Sequence, residues 1–159
     1  MAFAPKEALG GSFLETGREA FKISLDISAY SLVALSRAVE PMMSDNGSIL
    51  AMSYLGSEKV VPNYNLMGVS KAALEACTRY LAYDLGRSRG IRVNAVAPGC
   101  IVTDMTDKIP ENIKEGMLHS IPLSRLGQTE EVAKAVLFLA SDDASYLSLI
   151  HISEPTRRS

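Results

Sequence analysis

Residues 48–52 read Ser48-Ile49-Leu50-Ala51-Met52, and residues 91–96 read Ile91-Arg92-Val93-Asn94-Ala95-Val96. Turn signals bound the pair: Asp45-Asn46-Gly47 precedes the first run and Pro98-Gly99 follows the second. The first short apolar run is consistent with a strand buried on both faces, and the second reads as the next strand. Between them Met67–Leu85 is rich in Ala and Leu and contains no proline, which predicts a helix. Strand, long helix, strand is the unit of a parallel sheet with a right-handed crossover.

The flanking segments extend this pattern. Arg18 to Met43 has no Gly or Pro until Pro41, and apolar residues recur at Phe21, Leu25, Ile27, Leu32, Val33, Leu35 and Val39. That recurrence predicts one long helix with wide burial. Ala2-Phe3-Ala4 reads as the end of a strand, followed by a loop, Pro5–Gly17. Gly56–Asn65 is loop, Gly86–Gly90 breaks the second helix, and Thr106–His119 is a weaker helical stretch. Thr129-Glu130-Glu131 opens a final helix through Leu139, with Thr129 as its cap and the acids favouring its amino end. The fold class is therefore α/β: the carboxy-terminal part of a doubly wound parallel sheet, truncated at the amino end. Such sheets bind ligands at the carboxyl ends of their strands, here Ala2–Ala4, Met52–Tyr54 and Val96–Thr103.

Composition narrows the partners. The chain has 159 residues, 47% hydrophobic, which suits one domain with a real core. Sixteen basic and 18 acidic residues leave a net charge of −2, so there is no basic surplus for nucleic acid or an anionic membrane. Apolar runs such as Ala133–Ala140 are too short to span a bilayer, and the first residues lack the pattern of a signal peptide. Cys77 and Cys100 stand alone, without CxxC or histidines at metal spacing, and read as reduced thiols in a cytoplasmic protein; Cys77 is assigned to packing. Leu147–Ser159 is similar to the translation of a sequencing-library adapter. It is expected to be a non-native tail, leaving residues 1–146 as a partial dinucleotide-binding domain. No GxGxxG occurs, so the pyrophosphate site is expected to lie in a missing amino-terminal part.

Two residues carry proton chemistry. Tyr64 stands just before the second helix and Lys71 one turn inside it. An ammonium near a phenol favours the phenolate and lowers the tyrosine pKa. Such a pair can donate a hydrogen bond or a proton to an oxygen that becomes negative. Alone, one Tyr and one Lys at this spacing mean little and read sooner as a surface loop residue and a solvated helix charge.

Their surroundings are more specific. Ser53-Tyr54-Leu55-Gly56 followed by Pro62-Asn63-Tyr64-Asn65-Leu66-Met67-Gly68-Val69-Ser70-Lys71 closely resembles the active-site stretch of bacterial and plastid enoyl-acyl carrier protein reductases, members of the short-chain dehydrogenase/reductase family with its Rossmann-type fold. The common pattern of that wider family is Tyr-x-x-x-Lys with a serine seventeen before the lysine. Those positions here hold Met67 and Tyr54, as in the enoyl reductases. Phe3-Ala4-Pro5-Lys6-Glu7, Gly10-Gly11 and Phe21–Ser28 also resemble them, and the match runs from residue 2 to about residue 96. After Val96, Ala97–Thr106, Ile121–Gly127 and Phe138–Asp142 look more like 3-oxoacyl-acyl carrier protein reductases.

The resemblance implies reduction of a trans-2-enoyl thioester on acyl carrier protein, in bacterial cytoplasmic fatty acid biosynthesis, by NADH or NADPH. Tyr64 would hydrogen-bond the thioester carbonyl and stabilise the enolate. Lys71 would hold the nicotinamide ribose hydroxyls, and Tyr54 would contact substrate near the carbonyl. Met1, Pro98, Gly99, Ile101 and Thr103 would line the cofactor, and Ala4 would lie beside the acyl group. Thr103 equally suits a helix cap. Asp26 replaces the asparagine of the common proton relay and is given no catalytic role. The complete enzyme would be a homo-oligomer, a tetramer. Two alternatives remain open: a 3-oxoacyl or other short-chain reductase, and an inactive truncated or chimeric fragment.

Overall fold

Two parallel strands carry the architecture. β1 (Ser48–Met52) pairs with β2 (Arg92–Val96) in the register Ser48↔Arg92 through Met52↔Val96. This is a computed structural model and describes residues 2–104 and 106–148. The expectations for Met1 and for residues 149–159 lie outside the described residues. β2 is the buried strand, with Arg92, Val93 and Asn94 all buried. In β1 only Ala51 is; the helix Asn65–Arg89 packs on β2. The expectation that Ser48–Met52 is buried on both faces therefore fails.

The long amino-terminal helix is interrupted. α1 (Arg18–Leu25) and α2 (Ser31–Val39) are joined by a π-helical turn at Asp26–Tyr30, and a 3-10 turn holding Pro41 follows at Glu40–Met42. Ser28, in the π turn, accepts from Phe3 N–H and donates to Phe3 C=O, both at 2.8 Å. One hydroxyl thus occupies both backbone groups of Phe3 and ties residues 2–4 to the helix. Residues 2–4 form no strand among the described elements.

α3 (Asn65–Arg89) crosses from β1 to β2 and packs on β2. It runs through Gly86, which the sequence marks as a breaker. A helical glycine costs only about 1 kcal/mol relative to alanine. The actual stop is Gly90, at φ 67°, with Gly90 N–H on Gly86 O and Ile91 N–H on Leu85 O. Arg89, in the last turn, clamps the preceding loop through Glu40 and Asp45.

Pro110 divides the weak helical stretch into a 3-10 turn, Thr106–Lys108, and α4 (Glu111–Ser120). α5 (Thr129–Ala140) is capped by Gln128, not Thr129. Glu131 reaches back to the Gln128 N–H at 2.8 Å while Arg125 grips its carboxylate at both oxygens, holding its pKa down to about 2.

α5 packs against both strands. Arg92 ends it: Nη1 donates to Leu139 O at 2.7 Å and Nη2 to Ser141 O at 3.0 Å. Ser48, its register partner, also donates to Leu139 O. Asn94, on the same strand face, donates to Leu147 O at 2.7 Å. Among the described residues no helix is long and apolar enough to cross a membrane, and no cluster of His, Cys, Asp or Glu could hold a metal.

Candidate active site

Tyr64 is placed by backbone conformations that few residues accept. Asn63 at φ 61° and Asn65 at φ 33° flank it, and asparagine tolerates this region better than most side chains. Asn65 Nδ2 also donates to Gly11 O at 3.2 Å, which fixes the turn to the Gly10-Gly11 loop. Tyr64 itself is the N-cap of α3, so Lys71 lies nearly two turns inside the helix rather than one. At about 100° per residue, positions 64, 71 and 75 fall on one stripe.

Close backbone contacts set the tyrosine ring. A Cβ at Gly56 would lie 2.5 Å from Tyr64 Cδ1, and a Cβ at Gly68 would lie 2.7 Å from Gly56 O. Helix and turn therefore touch through glycine alone at both points. Tyr54 follows β1 in extended backbone, and its ring meets Tyr64 edge-on at 4.9 Å between centroids and 65° between planes.

Electrostatics correct one expectation. Lys71 does not lower the Tyr64 pKa. Its buried ammonium donates to Met52 O at 2.6 Å, at the end of β1. Burial pushes the Tyr64 phenol above its ordinary 10.0, and Tyr54 adds to the rise. Burial likewise raises Tyr54, with Cys100 contributing, and lowers the Lys71 ammonium, against which Glu75 acts in the opposite direction. Desolvation disfavours the charged form in each case. Both phenols are therefore proton donors at neutral pH.

A pH consequence follows. The folded chain keeps the Tyr64 proton that the unfolded chain releases at its ordinary pKa. The associated stability is whole below 10.0 and is lost as pH rises beyond it. Between about pH 9 and pH 11 the chain should lose more stability than Tyr64→Phe does. Urea titrations of both proteins across that range test it, and parallel curves would refute it.

The other expected site residues are spread around these strand ends. Pro98 is half-buried and Gly99 exposed, with open space where a side chain would stand. Ile101 bridges to Gly127, and Thr103 N–H donates to the Thr106 hydroxyl at 2.7 Å. Thr103 thus fills the capping part that the sequence left open, while its side chain stays at the surface. Ala4 is buried beside the Phe3–Ser28 clasp, and Met67 Sδ lies 4.0 Å from the Ser28 hydroxyl, so this edge reaches α3. A cavity of about 450 Å³ opens on the Gly56–Val61 side of Tyr64 and includes neither Lys71 nor residues 98–103. Ser28, Ser53, Ser57 and Glu75 escaped the sequence reading. The spacing of Glu75, four residues beyond Lys71 on the same stripe, was the available signal.

Parallel strands joined by a helix, with a tyrosine and lysine at their carboxyl ends, define an α/β protein of the doubly wound class. A family model described as enoyl-(acyl carrier protein) reductase matches residues 1–152, and the chain belongs to that family. It is 46% identical over 147 residues to the enoyl-acyl-carrier-protein reductase (NADH) 1 of Rhizobium meliloti (strain 1021), covering 91% of this chain and 54% of that protein. It is 42% identical to the FabI enzyme of Aquifex aeolicus (strain VF5), covering 96% of this chain and 58% of the relative. A crystal structure of the Bacillus cereus enzyme with NADP+ and indole naphthyridinone superposes with a TM-score of 0.84 at 43% identity, covering 92% of this chain and 58% of that one. The enzyme of Anaplasma phagocytophilum in complex with NAD gives 0.81 at 40% identity, covering 93% and 55%. The chain spans about half the length of the relatives it matches. The family match extends across Val96, where the sequence changes its resemblance.

Proposed function

We propose that the protein containing this chain reduces a trans-2-enoyl thioester carried on acyl carrier protein, using NADH, with NADPH as the alternative donor. The observation that carries the reading is the stripe of Tyr64 and Lys71 on α3, at the carboxyl ends of β1 and β2, in a chain of this family. The relatives' names specify NADH, one solved relative holds NAD and another NADP+.

The residues present fit the nicotinamide end of the cofactor. The Lys71 ammonium has three N–H donors, and among the described residues one is used, on Met52 O. The other two suit a pair of ribose hydroxyls. Gly99 offers open space for the nicotinamide, and Pro98, Ile101 and Thr103 would line it. When bound, the cofactor supplies the hydride. Tyr64 then holds its proton against the thioester carbonyl oxygen and stabilises the negative charge that develops there. Tyr54 packs on that ring and closes one side of the carbonyl position. Ala4 lies at the acyl side.

Leu35, Tyr80 and Tyr83 are exposed on α2 and α3, which supports a complete protein that is homo-oligomeric, a tetramer. The absence of a basic surplus supports a cytoplasmic enzyme that binds neither nucleic acid nor membrane. Purified full-length enzyme should oxidise NADH with a 2-enoyl thioester and far more slowly with a 3-oxoacyl thioester. The reverse preference would favour the 3-oxoacyl reductase reading suggested by Ala97–Thr106, and turnover of neither would refute both.

A further inference from the structure

Glu75 sits on the Tyr64–Lys71 stripe, beneath the segment that leaves β1. Its Oε1 accepts the Ser57 hydroxyl at 2.6 Å and the Ser53 hydroxyl as well. Those two serines bracket Tyr54 and Gly56 in the chain. Ser53 is buried, and its N–H donates to Val96 O at 2.7 Å, tying it to the end of β2. Ser57 N–H donates to Tyr54 O at 2.9 Å and closes the 3-10 turn Leu55–Ser57. Both ends of the turn are thus pinned to one carboxylate oxygen. An ionised carboxylate only accepts, and hydrogen bonds to it are roughly twice as strong as neutral ones. Within that turn Gly56 presses on the Tyr64 ring, and Tyr54 meets the ring edge-on. The same carboxylate also favours the charged form of Lys71.

We infer that Glu75 is a positioning residue: it holds the Ser53–Ser57 turn against α3 and thereby fixes Tyr54 on the edge of Tyr64. The inference deepens the reading above and takes its functional meaning from it, but its test needs no turnover.

The test uses the 159-residue chain with carbon-13-labelled tyrosine rings. Nuclear Overhauser contacts between Tyr54 and Tyr64 are read by NMR, and urea midpoints by circular dichroism. The unaltered chain gives the ring–ring cross-peak. Glu75→Ala loses it, and so does the double variant Ser53→Ala/Ser57→Ala. Glu75→Gln keeps a carbonyl acceptor at the same reach and recovers at least part of the intensity. A merely structural role would lower the urea midpoint of Glu75→Ala while the folded protein kept the cross-peak, and that result overturns the inference. If Glu75→Ala does not fold, the double serine variant decides, and a cross-peak that persists there overturns it. Enoyl reduction failing in the full-length enzyme, with the cross-peaks behaving as expected, would sink the functional reading alone.

Discussion

In the full-length protein, if it reduces enoyl thioesters as proposed, Tyr64→Phe should lower that rate by about 10²–10³-fold, or roughly 3–4 kcal/mol of barrier. Phenylalanine keeps the ring that fills the space against Gly56 and Tyr54. It removes only the O–H that would meet the developing negative charge. The half-buried phenol, with its raised pKa, is protonated throughout the neutral range, so the loss should be flat across pH 6 to about pH 9. Met67→Leu is the control. Met67 occupies the tyrosine position of the common Tyr-x-x-x-Lys pattern, yet it is buried against Ser28 and has no proton to give. That exchange conserves volume and should cost less than about 1.5 kcal/mol of stability. Steady-state rates for both variants decide the matter. A Tyr64→Phe enzyme with normal turnover would mean that the carbonyl takes its hydrogen bond from elsewhere.

Arg92→Met should destabilise the 159-residue chain by roughly 2–4 kcal/mol. The guanidinium is buried and serves the carbonyls of Leu139 and Ser141, the last exposed acceptors of α5. Methionine fills much of the space but leaves those acceptors to Ser48 alone, which reaches only Leu139. Arg92→Lys should recover part of the loss, since one ammonium cannot reproduce the fork. Urea denaturation followed by circular dichroism measures all three proteins. An unchanged midpoint for Arg92→Met would show that α5 docks through its apolar face and not through this cap.

These residues also mark what a sequence can disclose. Ser48–Met52 was legible to the residue, because a short apolar run between Asn46-Gly47 and a polar loop admits few other readings. Tyr64, Lys71 and Tyr54 were singled out because their spacing departs from the common pattern in a specific way, and the structure brings them to the end of β1. Arg92 reads as an interruption in an apolar strand, and its reason lies 47 residues away at the end of α5. The π turn was hidden for a similar cause: its Ser28 answers to Phe3, 25 residues upstream. Gly86 and Gly90 carry the same local signal, and the left-handed backbone of Gly90, at φ 67° with Asn46 packed against it, separates the stop from the interior glycine. The Lys71 expectation failed because charge proximity was weighed without burial, and the Met52 carbonyl claims the ammonium.

The contact of Gly56, Gly68 and Tyr64 has an evolutionary side. A single-base change that puts a methyl group on Gly56 would meet the Tyr64 ring directly, and one on Gly68 would meet the Gly56 carbonyl oxygen and reach the ring through it. Substitutions at these three positions are therefore sterically coupled, and a change that moves the ring has to move helix and turn with it. The reach of the tyrosine is written into two side chains that consist of hydrogen alone.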